Sequence, residues 1–182
     1  MISVRTTFSP VQRALHWAMA IAILAMLFVG AGMVSTVDQV RETLIAVHRP
    51  LGVAILLLTF LRIVVRFVQG APELPENMPE PMKLAAKLSH LAFYVLMFTM
   101  PLIGWAMMSA ADYPIVLFGG VQLPPIVSPS RELHAALWTA HAALAFAFFA
   151  LILLHLAAAL FHALVRRDGV FQQMAGGRAP AE

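Results

Sequence analysis

Seven histidines are the residues of this chain best suited to chemistry, and four of them fall in a pattern. The stretch 139–164, TAHAALAFAFFALILLHLAAALFHAL, carries no charged side chain yet holds His141, His155 and His162. His141 and His155 are 14 residues apart. On a helix that interval is ~21 Å of rise and returns to nearly the same face. One helix therefore offers two imidazoles on one stripe, one near each end of an apolar span. His16 opens another apolar run and His48 opens a third. Neutral imidazole binds iron, zinc and copper well. Cysteine is absent, which excludes disulfides, thiolate zinc sites, iron–sulfur clusters and thioether-linked haem.

The elements that must position these rings are apolar. Of 182 residues, 61% are hydrophobic and 12% charged, and mean hydropathy is +0.84. A soluble domain carries roughly 25% charged residues. Four apolar segments, at about 14–34, 44–67, 88–109 and 133–165, reach the ~20 residues that a bilayer requires. In lipid a helix satisfies its own backbone, so each segment is expected to be a helix. The predicted fold is an all-α membrane protein: a single domain over 1–182, built as a four-helix transmembrane bundle. The first run is preceded by Arg5 and Arg13, and Gly30-Ala31-Gly32 mimics a cleavage site. Its length exceeds the 7–15-residue core of a signal peptide, so it reads as a span.

The connection 71–83 holds four prolines and three glutamates and reads as an extended loop. The connection 112–130, with Pro and Gly punctuation, is long enough to fold over one membrane face. Nine of the twelve Lys and Arg residues fall on the N-terminal arm, the 62–87 region and the tail. The positive-inside rule then makes both termini cytoplasmic. The excess of base is explained by topology, and nucleic acid needs no invoking.

That topology sorts the histidines by depth. His16 and His155 lie near the cytoplasmic side, and His48 and His141 near the outer side. Each pair could give two axial nitrogens to one iron, so two stacked b-type haems are expected. A bis-histidine iron has no open position and favours electron transfer over oxygen binding. A zinc or proton-relay site would need its ligands at one depth, and these are ~21 Å apart. A single membrane histidine often only hydrogen-bonds between helices, but four at paired depths ask for more.

Neighbouring residues fit large flat groups. Gly30, Gly32 and Gly52 would let backbones approach a porphyrin. Phe148, seven residues from both His141 and His155, lies between the two levels or is ordinary packing. Arg62, 14 residues after His48, could meet a haem propionate or snorkel as a span-end anchor. His162, two turns beyond His155, could bind a quinone carbonyl or carry its proton, or simply be solvated at the interface. His90 reads as structural and His134 as interfacial.

At these residues the chain resembles the bacterial cytochrome b561 family, from about Pro10 to Met174. The matching stretches are RALHW around His16, IAVHRPLGVAILLLTFLRIVVRF around His48, LSHLAFYVLMFTMPLIGWAMM in the third span, and LHLAAALFHAL after Leu154. The resemblance implies that His16, His48, His141 and His155 are haem ligands. It implies a superoxide:quinone oxidoreductase of the bacterial inner membrane: superoxide gives electrons at the outer face, and they pass through two haems b to ubiquinone. Arg49, next to a ligand, would steer the anion there, with Arg131 and Arg41 as further candidates; as an alternative it anchors the span end or meets a propionate. The haem carries the chemistry, so no protein nucleophile is needed. Related four-helix cytochromes instead anchor a hydrogenase or dehydrogenase and take electrons from that partner subunit. Specificity between these would sit in the 112–130 loop. A non-redox four-helix transporter is the third alternative, and it would have to fold without haem.

Overall fold

The computed structural model describes residues 7–176. Arg5 and Arg178, counted above toward orientation, lie outside the described residues. Four long helices follow one another: α1 (Pro10–Ser35), α2 (Gln39–Gln69), α3 (Glu80–Ala110) and α4 (Arg131–Leu160). A π-helical turn, Phe161–Arg166, continues α4, and a short α5 (Val170–Ala175) closes the described chain. Among the described residues, four helices, the last counted through Arg166, are long and apolar enough to cross a membrane. α1 packs on α2, α2 on α3 and α3 on α4, the order of an up-and-down bundle.

Local chemistry sets the helix ends. Ser9 caps α1: its hydroxyl accepts from the Gln12 amide, and the Gln12 side chain accepts from the Ser9 amide. Pro10 then stands in the first turn, where its missing N–H costs nothing. Gly70, at φ 69°, ends α2 and donates its N–H to the Arg66 carbonyl. Ser130 caps α4 by accepting from Leu133 N–H.

One boundary differs from the sequence reading. The loop expected over 71–83 is shorter, because α3 already begins at Glu80. Prolines at 79 and 81 suit a cap and a first turn rather than breaking the helix. Glu80 places negative charge at the helix start, and its carboxylate accepts from Lys83 at 2.9 Å, one turn along. The helix is therefore extended by polar residues that a hydropathy count excludes.

The bundle is apolar outside as well as inside. Phe28, Phe67, Val34 and Val68 are among its most exposed side chains, a surface suited to lipid. The buried apolar cluster is small: Met19 from α1, Met97 from α3 and Phe148 from α4, with Phe93, Leu58 and Ile152 packed around it. Thr59 of α2 is fully buried and bonds its own helix at the Ile55 carbonyl.

Both ends are closed by chain. The 112–130 loop forms a two-stranded hairpin, β1 (Ile115–Val116) and β2 (Gln122–Leu123), with Ile115 opposite Leu123. Trp105 Nε1 donates to the Pro124 carbonyl, Ile126 N–H to Ser109 Oγ, and Ser130 N–H to the Ala110 carbonyl. Ile115 is buried and β1 touches α2, so this loop does fold over the helix ends. At the opposite end α5 folds back to the start of α1: Phe8 N–H donates to the Gln173 carbonyl, and Trp17 Nε1 to that of Met174.

Candidate functional site

Two levels of imidazole stand inside the bundle. At one, His48 of α2 and His141 of α4 face each other with ring centroids 6.2 Å apart. The His48 Nδ1 is buried and has no hydrogen-bond partner. The His141 Nδ1 is likewise buried; the Met100 carbonyl lies near its ring but outside hydrogen-bond geometry. Glycines flank both rings. A Cβ added at Gly30 would lie 3.9 Å from His48 Cε1, and one at Gly104 3.5 Å from His141 Cε1. Gly104 was not singled out from sequence; its place in the PLIGW stretch of the third span was the available signal.

At the second level, His16 of α1 and His155 of α4 are 6.3 Å apart. His90 of α3, expected to be structural, is also 6.3 Å from His155, and the Phe93 ring is 5.1 Å from it. Arg62 reaches this level from α2. Its Nη2 is 3.3 Å from His16 Nδ1, while its Nη1 is buried without a partner. A guanidinium has only donors, so this buried cation asks for an acceptor, best an anion. Between the two levels lies the cluster of Phe148, Met19 and Met97. Phe148 is therefore core, in the position between the levels that its spacing indicated.

These separations can be tested against haem. Two metal–nitrogen bonds of about 2.0 Å, plus about 1.1 Å from each nitrogen to its ring centre, give about 6.2 Å between centroids. The observed 6.2 and 6.3 Å agree with a shared iron. The orphaned His48 Nδ1 at the first level, and the orphaned Arg62 Nη1 at the second, each leave a buried polar atom for a bound group. Among the described residues, no three His, Asp or Glu side chains come together as a zinc site would require.

The expected glycine cradle is partly different. Gly30 does stand beside His48. A Cβ at Gly32, however, would come within 2.8 Å of Leu44 Cδ1, so Gly32 serves the contact of α1 with α2 rather than a porphyrin. Gly52 faces Met26, whose Cε would be 3.7 Å from a Cβ there. Arg49 follows His48 directly and precedes Pro50 within α2. His134 bonds the Met107 carbonyl through Nδ1 at 3.0 Å, which ties α4 to α3 at the hairpin end.

His162 lies away from both ring pairs, in the π-helical turn. Its Nδ1 is 2.7 Å from Asp168 Oδ2, an acid that the sequence reading missed. Arg166 Nε donates to the same oxygen at 3.0 Å, and Val170 N–H donates to Oδ1. Burial disfavours the Asp168 anion, but the bonds from His162, Val170 and Arg166 outweigh it and hold the carboxyl below its usual range.

Four lipid-facing helices around a narrow interior that is polar at facing imidazoles define a haem-binding membrane bundle. Comparison with known proteins narrows the class. The family model for prokaryotic cytochrome b561 matches residues 7–177. The chain belongs to that family, whose members bind b-type haem and carry electrons in membranes. Cytochrome b561 homolog 2 of Escherichia coli K12 is 27% identical over 172 residues, covering 93% of this chain and 91% of that protein. Homolog 1 of the same organism is 30% identical over 174 residues, covering 92% and 96%. A protein of Yersinia pestis named "Probable superoxide oxidase CybB" is 30% identical over 129 residues, covering 70% and 72%.

Proposed function

We propose that this chain is a superoxide:quinone oxidoreductase that holds two haems b, one between His16 and His155 and one between His48 and His141. The carrying observation is the pair of facing imidazole couples, each at the spacing of two ligands on one iron. Bound haem supplies a one-electron relay between the two faces of the bundle. The protein's own residues do the rest. His48 and His141 hold the outer group, with Gly30 and Gly104 leaving room beside them. His16 and His155 hold the inner one, and Arg62 Nη1 donates to a carboxylate such as a propionate.

Arg49, beside His48, draws the superoxide anion to the outer end. His162 meets the quinone at the inner end. The Yersinia pestis relative, named for superoxide oxidation, supports the donor. The charge distribution supports both termini on the cytoplasmic side of a bacterial inner membrane, and the chain forms one domain.

Purified protein tests this directly. A reduced-minus-oxidised spectrum should show a b-type signature at two haems per chain. Superoxide should then reduce both, and added ubiquinone should reoxidise them. Haems that dithionite reduces but superoxide does not would sink the donor assignment. A soluble redox subunit that co-purifies and reduces them would put the chain in the partner-fed class instead.

A further inference from the structure

The π-helical turn after α4 holds a pair of side chains that the electron path does not use. His162 Nδ1 and Asp168 Oδ2 are 2.7 Å apart, with side chains only 12% and 6% exposed. A carboxylate this enclosed and this fully bonded stays ionised: it accepts from His162, Arg166 and Val170. An ionised carboxylate is acceptor-only, so it fixes the His162 proton on Nδ1. Nε2 is then the face that gives or takes a proton, and among the described residues it has no hydrogen-bond partner. Helical irregularity of the π type recurs at functional sites. Here it displaces the end of α4 so that the chain, through Arg167 in the left-handed region, brings Asp168 back onto the ring.

Chemistry at the inner end requires such a group. Reducing a quinone to a quinol takes two electrons and two protons. On the reading above, two superoxide anions give one electron each and leave as two dioxygen molecules. Each quinone oxygen gains one proton, and the protons come from the water phase on that side.

We infer that His162 and Asp168 form the proton-delivering pair for quinone reduction, with Asp168 as a positioning residue acting through His162. The His162 Nε2–H donates to a quinone oxygen, and the O–H bond forms as the N–H bond breaks. Water from the cytoplasmic face reprotonates Nε2. Asp168 holds the tautomer and stabilises the charged ring, as the buried acid of a serine-protease triad does for its histidine. This inference rests on the placing of quinone at His162.

The surroundings contain few competing charges. Arg166 is committed to Asp168, and its Nη1 lies against Met82 of α3. On α3, Lys83 and Glu80 pair with each other. Arg167 Nε donates to the Leu164 carbonyl. α5, VFQQMA, has no ionisable side chain.

The test uses haem-loaded full-length protein and the variants H162Q, D168N and D168E. Dithionite-reduced haems are mixed with a water-soluble ubiquinone, and reoxidation is followed across pH. Equilibrium binding of the same quinone to the oxidised protein is measured alongside. H162Q should slow reoxidation about 10²–10⁴-fold, the usual scale of a general acid. D168N should slow it about tenfold or more and leave quinone affinity within about twofold, because the ring has lost the acceptor that orients it. D168E should recover most of the rate.

D168N with the parent's rate would overturn the inference. So would D168N that weakens quinone binding and leaves the maximal rate unchanged, since that is a structural latch. If D168N fails to retain haem, H162Q decides: parental reoxidation in H162Q overturns the pair's role. Failure of quinone to reoxidise the parent protein itself would instead remove the quinone reading and the inference with it.

Discussion

His48 on α2 and His141 on α4 face each other at 6.2 Å, and the glycines beside their rings, Gly30 and Gly104, come from the other two helices. All four helices thus meet at one ring pair. The same α4, 14 residues on, presents His155 to His16 at 6.3 Å. Pairing across helices, rather than along one, is what separates the two levels.

Ligand pairs should therefore fail together. Replacing His48 or His141 by alanine should remove one of two haem signals, and replacing His16 or His155 should remove the other. Haem content and the reduced spectrum report this. His90 stands as near to His155 as His16 does; His90→Ala should nevertheless retain both signals. Loss of the inner signal from His90→Ala with retention in His16→Ala would reassign the ligand.

Arg62 should tune one haem. Its buried Nη1 lacks a partner, and Nη2 contacts His16. A nearby cation favours the form of the haem with one more electron. Arg62→Gln should lower the inner midpoint potential by on the order of tens of millivolts, from a charge–charge term in a medium of intermediate dielectric, and leave the outer one unmoved. Redox titration that finds both potentials unchanged would dissociate Arg62 from the haem.

Phe148 should matter for packing. It is buried in the cluster with Met19 and Met97. Phe148→Ala should cost about 2–4 kcal/mol, carried by lost contacts and a cavity rather than by transfer from water, since lipid is apolar too. Thermal unfolding followed by haem absorbance measures it, and Phe148→Leu should cost less. An alanine variant as stable as the parent would contradict the packing role.

The C-terminal closure should be acid-labile. Asp168 is held below the ordinary carboxyl range by His162, Val170 and Arg166 against the opposing effect of burial. A carboxyl whose folded value is depressed contributes its stability at every pH above the unfolded value. That contribution declines below the unfolded value and is gone once pH has fallen past the folded one. Protection of α5 amides in hydrogen exchange should thus be constant near neutrality and fall only in strong acid, while Asp168→Asn should abolish that dependence. Identical acid profiles in the two proteins would show that the closure is held by other bonds.

Much of this was readable in one dimension because membranes impose a simple rule. A bilayer demands long apolar runs and pairs every backbone group within a helix, so four helices follow from composition alone. The 14-residue interval between His141 and His155 is likewise a helix property, fixed by rise and turn. The start of α3 at Glu80 was missed because hydropathy marks where lipid begins, whereas a helix begins where caps and first-turn charges allow.

Contacts between distant segments were decided only by the fold. Sequence by itself determined that His48 and His141 lie near one surface; tertiary packing set their rings 6.2 Å apart. It also brought His90 to His155, placed Gly104 beside His141, and turned Gly32 to Leu44 instead of a cofactor. Asp168 follows the last apolar span and looks like a solvated tail residue. A π-helical turn and one left-handed residue, Arg167, bring it back onto His162. Periodicity predicts which face of a helix a residue occupies. Which helix faces it, and how a broken helix end returns, depends on packing that no local pattern records.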